Sequence, residues 1–339
     1  MNSMERVLAV LHGEPVDRVP VAGVLCLYGA RLTGCGLEDY YTKPEEYVRG
    51  QSAIVERFQP DLLLSPLCAA NEGKAFGCGL KYFTDYPPNI TRRAIRSSDE
   101  IGTLVFPDIE ADPHLVYTRE TVRRLSRQYA GQIPVCALWL DPLDLLAIVV
   151  GPDTFMDLVF HHRQAFDEIL VRMEEFSVRY GNALLADGAA ILIHIASVCG
   201  VAMIPRSMAE QIAEPALRRT YAQIKGGILM HGGGYKMAPY LDLYRDLPNL
   251  LGFILDSRDN LLRARETVGN NLVLAGNIEG PTLDTKAPEQ IRRICARMLS
   301  VMAADPRYIL STSAADIPFA TEAGQIDALM QAPAQFRGQ

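Results

Sequence analysis

The sequence contains no apolar run near the roughly 18 residues that a membrane-spanning helix requires. It also lacks an excess of basic residues, since 33 Lys and Arg against 40 Asp and Glu give a net charge of −7. This balance argues against a broad nucleic-acid surface. The opening Met-Asn-Ser-Met-Glu-Arg has neither the basic nor the apolar region of a signal peptide. We therefore expect a cytoplasmic protein that has neither a membrane nor a nucleic acid as its partner.

Close cysteine pairs and flexible linkers are missing as well. The seven cysteines are scattered and odd in number, so reduced thiols fit better than a disulfide framework. No Gly/Ser-rich or Pro-rich segment divides the 339 residues. The content of 49% apolar and 22% charged residues is typical of a globular chain with a sizeable core. These features predict a single domain over residues 1–339.

Eight short apolar segments alternate with helical patterns along the chain. This alternation predicts a (β/α)8 TIM barrel with an N-terminal helical extension. A doubly wound sheet is the alternative, which periodicity alone does not exclude. Residues 79–96 are predicted to form a hairpin outside the barrel. The predicted barrel strands are 19–26, 61–65, 133–139, 189–195, 227–231, 250–255, 272–275 and 308–310.

The segment 227–235 carries the leading candidate for a catalytic residue. An apolar run ends in His231, and three glycines follow before a helical pattern resumes. The carboxyl end of a barrel strand is where such folds place their chemistry, so His231 is predicted to be an acid/base or hydrogen-bonding group. The alternative is a relic of a lost metal site, held by a backbone carbonyl. Gly233 and its neighbours could bind an anion through backbone N–H groups, but a turn with positive φ is favoured.

Other strand ends supply further polar candidates. Asp256 and Asn277 end adjacent strands and could bind a planar heterocycle such as a pterin, or could simply cap a helix and form a turn. Glu72 is a candidate catalytic acid or base, and Asp141 is placed in the binding site; either could instead be ion-paired.

The remaining candidates are assigned to substrate binding. Tyr28 and Trp139 would line the mouth, although aromatic residues there often only pack. Polar residues at strand ends, Ser197 and Ser313, belong to the same predicted surface.

A rearranged metal site is a further alternative. His194, Cys199 and His231 follow adjacent strands, and two histidines with one cysteine are a feasible zinc set. The spacing is no strong signature, however, and cysteine is often a small buried apolar residue. The main expectation is therefore that no metal is bound.

Four segments together resemble one known family. They are the opening 5–20, the Asn-Glu-Gly-Lys-Ala-Phe-Gly of 71–77, the Leu-Ala-Gly-Asn-Ile of 274–278, and 309–318 with its Asp-Ile-Pro end. The pattern resembles the uroporphyrinogen decarboxylase superfamily, and within it the cobalamin-dependent methyltransferase branch. The resemblance covers nearly the whole chain and implies a barrel of about this length.

Two departures limit what the resemblance implies. Porphyrinogen decarboxylases have an arginine-rich segment after the first strand. Residues 26–31 here contain a single arginine, Arg31. A substrate with many carboxylates needs several cations, so porphyrinogen decarboxylation is disfavoured.

The second departure concerns zinc. The methyltransferase branch holds zinc with His-x-Cys after strand five and a Cys after strand eight, and the zinc makes the acceptor thiol a thiolate. His231 is retained, but the cysteine positions are Gly233 and either Ala314 or Ala315. The usual zinc site is therefore expected to be absent.

The leading hypothesis is a corrinoid-dependent methyltransferase. A partner protein would carry the corrinoid (methylcobalamin) to the carboxyl face of the barrel, and a small acceptor would bind inside. Without zinc the acceptor need not be a thiol, and a tetrahydrofolate-type amine is plausible. Asn277 and Asp256 would position it, while Glu72 or His231 would handle the proton.

Two other hypotheses stay open. One is a decarboxylase of a porphyrinogen or smaller acid, for which Arg31, Arg206 and Arg258 are the candidate cations. The other is a non-catalytic relative that binds a tetrapyrrole or a partner protein. The resemblance to this family also implies a homodimer.

Overall fold

The computed structural model describes residues 1–336, and its main feature is a ring of eight parallel strands. Each strand follows a helix or loop that returns the chain to the opposite end of the ring, as a (β/α)8 barrel requires. The barrel strands are β1 (Val21–Ala22), β2 (Leu63–Leu64), β5 (Val135–Trp139), β6 (Ile191–Ile195), β7 (Gly227–His231), β8 (Leu250–Ile254), β9 (Val273–Glu279) and β10 (Tyr308–Ser313). The other two strands are β3 (Gly79–Lys81) and β4 (Asn89–Arg92), which pair antiparallel.

The strands follow the order β1-β10-β9-β8-β7-β6-β5-β2, so the ring is nearly closed and only β1 and β2 lack a regular ladder. Asp61 bridges that gap. Its N–H donates to Val21 O at 2.9 Å, and its carboxylate accepts the Val21 N–H at 2.8 Å. This ring confirms the predicted barrel, and a doubly wound sheet is excluded because such a sheet would have two open edges.

The helical layer surrounds the ring. Its helices are α1 (Ser3–His12), α2 (Tyr28–Thr33), α3 (Leu37–Tyr40), α4 (Pro44–Phe58), α5 (Ala69–Ala75), α6 (Pro113–Gln128), α7 (Pro142–Val150), α8 (Pro152–His161), α9 (Arg163–Ala186), α10 (Arg206–Met208), α11 (Glu214–Tyr221), α12 (Leu241–Tyr244), α13 (Leu261–Val268), α14 (Pro288–Val301), α15 (Ala323–Met330) and α16 (Ala332–Gln335). Shorter helical turns span Ser98–Thr103, Ala209–Ala213, Ala238–Tyr240 and Gly280–Thr285. Within residues 1–336, no helix combines the length and apolar character needed to cross a bilayer.

The N-terminal extension α1 lies at the amino ends of the strands. Met4 N–H donates to Gln132 O just before β5, and Arg6 binds the Asp61 carboxylate just before β2. Arg307, which precedes β10, donates to His12 O. These contacts place α1 on the face opposite to the strand tips, so the carboxyl face remains free for a site.

Side chains alternate between the inside of the ring and the helical layer, as the pleat of a strand requires. Leu138, Ile193 and Ile195 line a cavity inside the barrel. Their neighbours Trp139 and His194 point the other way and contact side chains of the helical layer. The predicted strands β9 and β10 were too short, because their last residues are polar and the apolar pattern ends before the hydrogen-bonded ladder does.

Candidate active site at the carboxyl face

Three neighbouring cavities open at the carboxyl ends of the strands. The mouth cavity has a volume of about 890 Å³. An inner chamber of about 50 Å³ lies inside the ring, and a side pocket of about 10 Å³ lies beside α5. Leu67 and Ile195 border all three. The inner chamber is large enough for a few heavy atoms at most, because a single water needs roughly 10–15 Å³ measured in this way.

His231 ends β7 and borders the largely apolar inner chamber, with 7% of its surface exposed. Its Nδ1 accepts the Gly233 N–H at 3.0 Å. Burial lowers the pKa of the imidazole to about 4, so the ring is neutral at physiological pH. Since Nδ1 must carry a lone pair to accept that hydrogen bond, the single ring proton resides on Nε2. His231 is therefore a fixed neutral hydrogen-bond donor.

Gly233 and Ala314 lie beside His231, at the positions where the resemblance expects cysteine ligands. Both border the mouth cavity, and neither has a side chain that can bind a metal. Gly233 has φ +59°, and a Cβ there would lie 2.3 Å from Ser197 Oγ. His231 also has the tautomer whose Nε2 is protonated, which leaves no lone pair on that atom for zinc. The residues present therefore do not fit the zinc site of the methyltransferase branch.

Glu72 lies on α5, is 8% exposed and borders the side pocket. Burial raises the pKa of its carboxyl to about 8, and no cation offsets this effect. The neighbouring Asn71 Nδ2 is buried and has no hydrogen-bond partner. A carboxylic acid that is largely protonated at neutral pH can donate a proton or a hydrogen bond to a ligand.

Asp256 and Asn277 meet at the tips of β8 and β9 but are used within the protein. Asn277 Nδ2 donates to Asp256 O at 2.9 Å and to Asp259 O at 2.8 Å. The Asp256 carboxylate accepts the Arg258 backbone N–H at 3.0 Å and pairs with its guanidinium. Neither residue lines the three cavities. The two side chains fix the loop after β8.

Trp139, Asp141 and His194 lie outside the ring, behind β5 and β6. His194 is fully buried, with Nδ1 2.6 Å from Tyr221 Oη and Nε2 2.7 Å from Asp141 Oδ2. The Trp139 indole N–H donates to Ser177 O on α9 at 2.9 Å. The strands of the barrel thus separate these three side chains from the inner chamber, although the sequence suggests that they face the mouth. Trp139 alone of the three borders the side pocket. Strand alternation explains the difference, because Leu138 and Ile193 take the inward positions.

The structure changes the composition of the alternative metal set. His194 and Cys199 come together with Asp141 and Asp144, and one possible ligand atom from each lies within 4.8 Å of the others. His231, the third member of the predicted set, is not part of this group. The four side chains are all buried, and their chemistry fits a divalent metal such as zinc.

Hydrogen bonds already occupy this cluster. Asp144 Oδ1 accepts the N–H groups of Ser197 and Val198, each at 3.1 Å. Asp141 Oδ1 accepts the Leu143 N–H at 2.8 Å. Burial and the adjacent Asp141 charge raise the pKa of Asp144 well above its ordinary value. These bonds hold the loop after β6, on which Ser197 packs against Gly233.

The last two predicted binding residues are also in internal hydrogen bonds. Tyr28 is buried, and its hydroxyl donates to Thr321 O at 2.9 Å. The Ser313 hydroxyl donates to Ile278 O at 3.3 Å. Ser311, two residues earlier, lines the inner chamber, and its Oγ has no partner within the described part of the chain.

Asp316 is a site residue that the sequence analysis noted only as part of a motif. It borders the mouth cavity and is 8% exposed. Oδ1 accepts the Leu27 N–H at 2.8 Å, whereas Oδ2 is buried without a partner. Burial raises the pKa of this carboxyl to about 7. The signal available in the sequence was an acidic residue three positions after the end of β10.

The arginines proposed for a decarboxylase are all engaged elsewhere. Arg31 donates to Phe319 O and Thr321 O, Arg206 pairs with Glu210 and Asp242, and Arg258 pairs with Asp256. Among the residues that line the mouth cavity, Arg93 is the single cation, and the three acids are Asp85, Asp284 and Asp316.

This arrangement defines the class of the protein. A (β/α)8 ring has its cavities at the carboxyl strand tips, where enzymes of this fold place their chemistry. Buried groups of shifted pKa, among them Glu72, His231 and Asp316, line these cavities. The sequence model of the uroporphyrinogen decarboxylase (URO-D) family matches residues 2–336, and the chain belongs to that family. It is an enzyme of that family, as its similarity to methyltransferases and decarboxylases supports.

Similar proteins come from both branches of the family. A methylcobamide:CoM methyltransferase, MtaA of Methanosarcina barkeri, is 22% identical over 281 residues, covering 81% of this chain and 82% of its own. A uroporphyrinogen decarboxylase of Alkalilimnicola ehrlichii is 24% identical over 335 residues, covering 91% of this chain and 87% of its own. The solved structure of a methyltransferase from Methanosarcina mazei superposes with a TM-score of 0.87 at 20% identity, covering 99% of each chain. This superposition confirms the fold.

Proposed function

We propose that this enzyme transfers a methyl group between a corrinoid and a small acceptor whose nucleophile is an amine nitrogen. The observation that carries the proposal is the Gly233 N–H···Nδ1 bond of His231, which leaves Nε2 as a proton donor instead of a zinc ligand. The relatives named methylcobamide:CoM methyltransferases support the corrinoid. A thiol acceptor needs the metal because it reacts as the thiolate, whereas an unprotonated amine is nucleophilic without a metal.

The mouth cavity is the proposed docking place for a corrinoid carried by a partner protein. Its volume of about 890 Å³ and its apolar side chains, such as Leu27 and Phe319, suit the face of a large macrocycle. Tyr86, at the tip of the β3–β4 hairpin, is 64% exposed and borders the same cavity. The corrinoid supplies the methyl group, and the barrel supplies the acceptor and its orientation.

His231 and Glu72 are the proposed catalytic residues. His231 Nε2–H would orient a heteroatom at the inner chamber, and Glu72 would exchange a proton with the acceptor, because its pKa of about 8 lies close to working pH. A tetrahydrofolate-type amine and a small alkylamine are the acceptors to test. Asp256 and Asn277 would act indirectly, by holding the loop after β8 beside His231.

Metal content tests the zinc-free part of the proposal. Protein produced with added zinc should contain well under one zinc per chain, and His231→Gln should leave that content unchanged. His194→Gln provides the comparison at the buried Asp141–His194 cluster. Stoichiometric zinc that is lost with His231→Gln would overturn the proposal, whereas zinc lost only with His194→Gln would place a structural metal outside the ring.

Turnover is measured with methylcobalamin and purified protein. Tetrahydrofolate or another amine should remove the methyl group, as seen in the visible spectrum, while a simple thiol should not react faster than it does without protein. His231→Gln and Glu72→Gln should each slow the reaction by about 10²-fold or more. A thiol-only reaction would contradict the proposal.

Decarboxylation is a second candidate, because similar proteins include enzymes named uroporphyrinogen decarboxylase. The charge at the mouth argues against a porphyrinogen, since three aspartates face one arginine there. Release of carbon dioxide from porphyrinogens by this enzyme would favour that function instead.

We further propose that residues 1–339 fold as one domain, that the protein works in the cytoplasm, and that it forms a homodimer. Size-exclusion chromatography with light scattering tests the oligomeric state, and limited proteolysis tests the domain.

A further inference from the structure

The mouth cavity has an acidic and aromatic lining. Its carboxylates are Asp85, Asp284 and Asp316, and its aromatic side chains are Phe83, Tyr86 and Phe319. Among the described residues, Asp85 and Asp284 take part in no salt bridge. Within the described part of the chain, Arg93 is the one cation that lines the cavity, and its Nη1 donates to Ile148 O at 2.7 Å. The electrostatic potential in this cavity therefore favours a positive ligand.

Asp316 is the innermost of these carboxylates. More than nine-tenths of it is buried, Oδ1 has one backbone partner, and Oδ2 has none. A buried carboxylate oxygen without a partner costs free energy, which a cation bound in the cavity would recover. Burial raises the pKa of Asp316 to about 7, so a bound cation would also favour its ionised form.

Arg31, which contacts the loop after β10, does not neutralise Asp316. Arg31 donates to Phe319 O at 2.7 Å and pairs with the carboxylate of Glu322 at 3.2 Å. Its charge is thus balanced on the outer side of the loop after β10. The Phe319 ring remains part of the cavity lining.

We propose that the mouth cavity is a binding site for an alkylated ammonium cation, with Asp316 as its counter-ion and Tyr86 and Phe319 as its aromatic walls. The Phe83 ring already contacts a cation, the Lys81 ammonium, 5.0 Å from its centroid. Carboxylates attract the charge, and aromatic faces accept the methyl groups of such cations. A compact inorganic cation would prefer several oxygen ligands, but the remaining lining is largely apolar.

The proposal rests on the proposed function in one respect, namely that the amine bound here is the methyl acceptor. A protonated amine bound here would first give its N–H proton to the Asp316 carboxylate, which passes it to solvent. The freed lone pair would then form the new N–CH₃ bond, and the electron pair of the broken bond would stay on the cobalt of the methyl donor. A tertiary amine then becomes a quaternary ammonium product, which this cavity would also bind. The substrate class is therefore a small alkylamine, in preference to a polyanionic folate.

Calorimetry with choline and its neutral isostere 3,3-dimethylbutanol tests the site without any corrinoid. We expect choline to bind at least about tenfold more tightly than the isostere. Asp316→Asn should weaken choline binding by about tenfold, and Phe319→Leu by a few-fold. Asp246→Asn is the control, since this aspartate is 77% exposed and borders none of the three cavities; it should have no effect.

Equal affinity for the two ligands, no choline binding, or unchanged binding in Asp316→Asn would overturn the cation site. Because the barrel is tested alone, the result is independent of methyl transfer. Methyl transfer to a folate without choline binding would sink only the cation site. Choline binding without any reaction of methylcobalamin would sink only the proposed methyl transfer.

Discussion

The hydrogen bond from the Gly233 backbone N–H to His231 affects both the turn after β7 and the position of the ring proton. It connects the end of β7 to the second glycine of the following turn, and it assigns the ring proton to Nε2. The turn itself depends on Gly233, because the backbone there has φ +59° and Ser197 lies against it. In the proposed function, His231 therefore acts at the barrel mouth as a hydrogen-bond donor through Nε2.

The Gly233 turn gives the first prediction at this scale. Gly233→Ala should lower the free energy of unfolding by about 1–3 kcal/mol, because it adds strain at positive φ and a close contact with Ser197. The control is Gly102→Ala, where an added Cβ meets nothing within 4 Å. Urea denaturation of both variants is the measurement, and equal stabilities would contradict this account of the turn.

Glu72 gives a prediction about pH. Its pKa in the folded state, about 8, lies above its ordinary value of 4.5. The folded protein therefore binds more protons than the unfolded chain between these values, and this contribution to stability is complete below about pH 4.5 and is lost as pH rises towards 8. Asp316 acts in the same direction between 3.8 and about 7, while His231 acts in the opposite direction between about 4 and 6.5.

Replacing the carboxyl should remove the Glu72 part of this dependence. Glu72→Gln should gain stability relative to the parent protein as pH rises from 5 to 9, by an amount on the order of a few kcal/mol. Glu289→Gln is the control, since Glu289 is 60% exposed on α14. Urea midpoints at pH 5, 7 and 9 measure the effect. Parallel pH profiles for the parent and Glu72→Gln would show that Glu72 is not a buried acid.

At the scale of elements, strand alternation explains both a success and a failure of sequence reasoning. The segment 227–231 was predicted with the bounds it has, because a continuous apolar run between turns is typical of a buried barrel strand. In β6, however, every residue is buried or nearly so, and the sequence does not reveal which face points into the ring. The pairing of His194 with Asp141 and Tyr221 shows that it faces the helices.

This buried pair gives a prediction for the β6 element. Asp141→Ala should destabilise the protein by about 3–5 kcal/mol, because it removes the carboxylate that is hydrogen-bonded to the fully buried His194 and an acceptor for the start of α7. Arg206→Ala, which breaks an exposed, solvent-screened pair with Asp242, should cost far less than Asp141→Ala. Urea denaturation compares the two, and a similar small loss for both would mean that the cluster does not hold β6 to the helical layer.

For the whole molecule, the barrel and the position of its mouth could be predicted from the sequence, but the site could be predicted only in part. Strand–helix alternation and four short segments led to the fold and to the URO-D family. The role of Asp316 depends on a cavity formed by chain segments far apart in sequence, including the hairpin around Asp85 and the loop after β10. The periodicity of the sequence carries no information about which distant segments come together in space.

The charge of the mouth follows from the same long-range packing. Composition gives a net charge of −7 but does not locate it, whereas the fold places three aspartates and one arginine around one cavity. This distribution distinguishes a mouth suited to amines from one suited to a substrate with many carboxylates.

The central claim is that hydrogen bonding at His231 has replaced metal binding at the barrel mouth, and ¹⁵N NMR of the histidine rings tests it most directly. In protein with labelled histidine, His231→Gln identifies the signals. At neutral pH the account predicts an uncharged ring with its proton on Nε2, unchanged by one equivalent of zinc. A proton on Nδ1, or a marked shift of Nε2 on adding zinc, would contradict it.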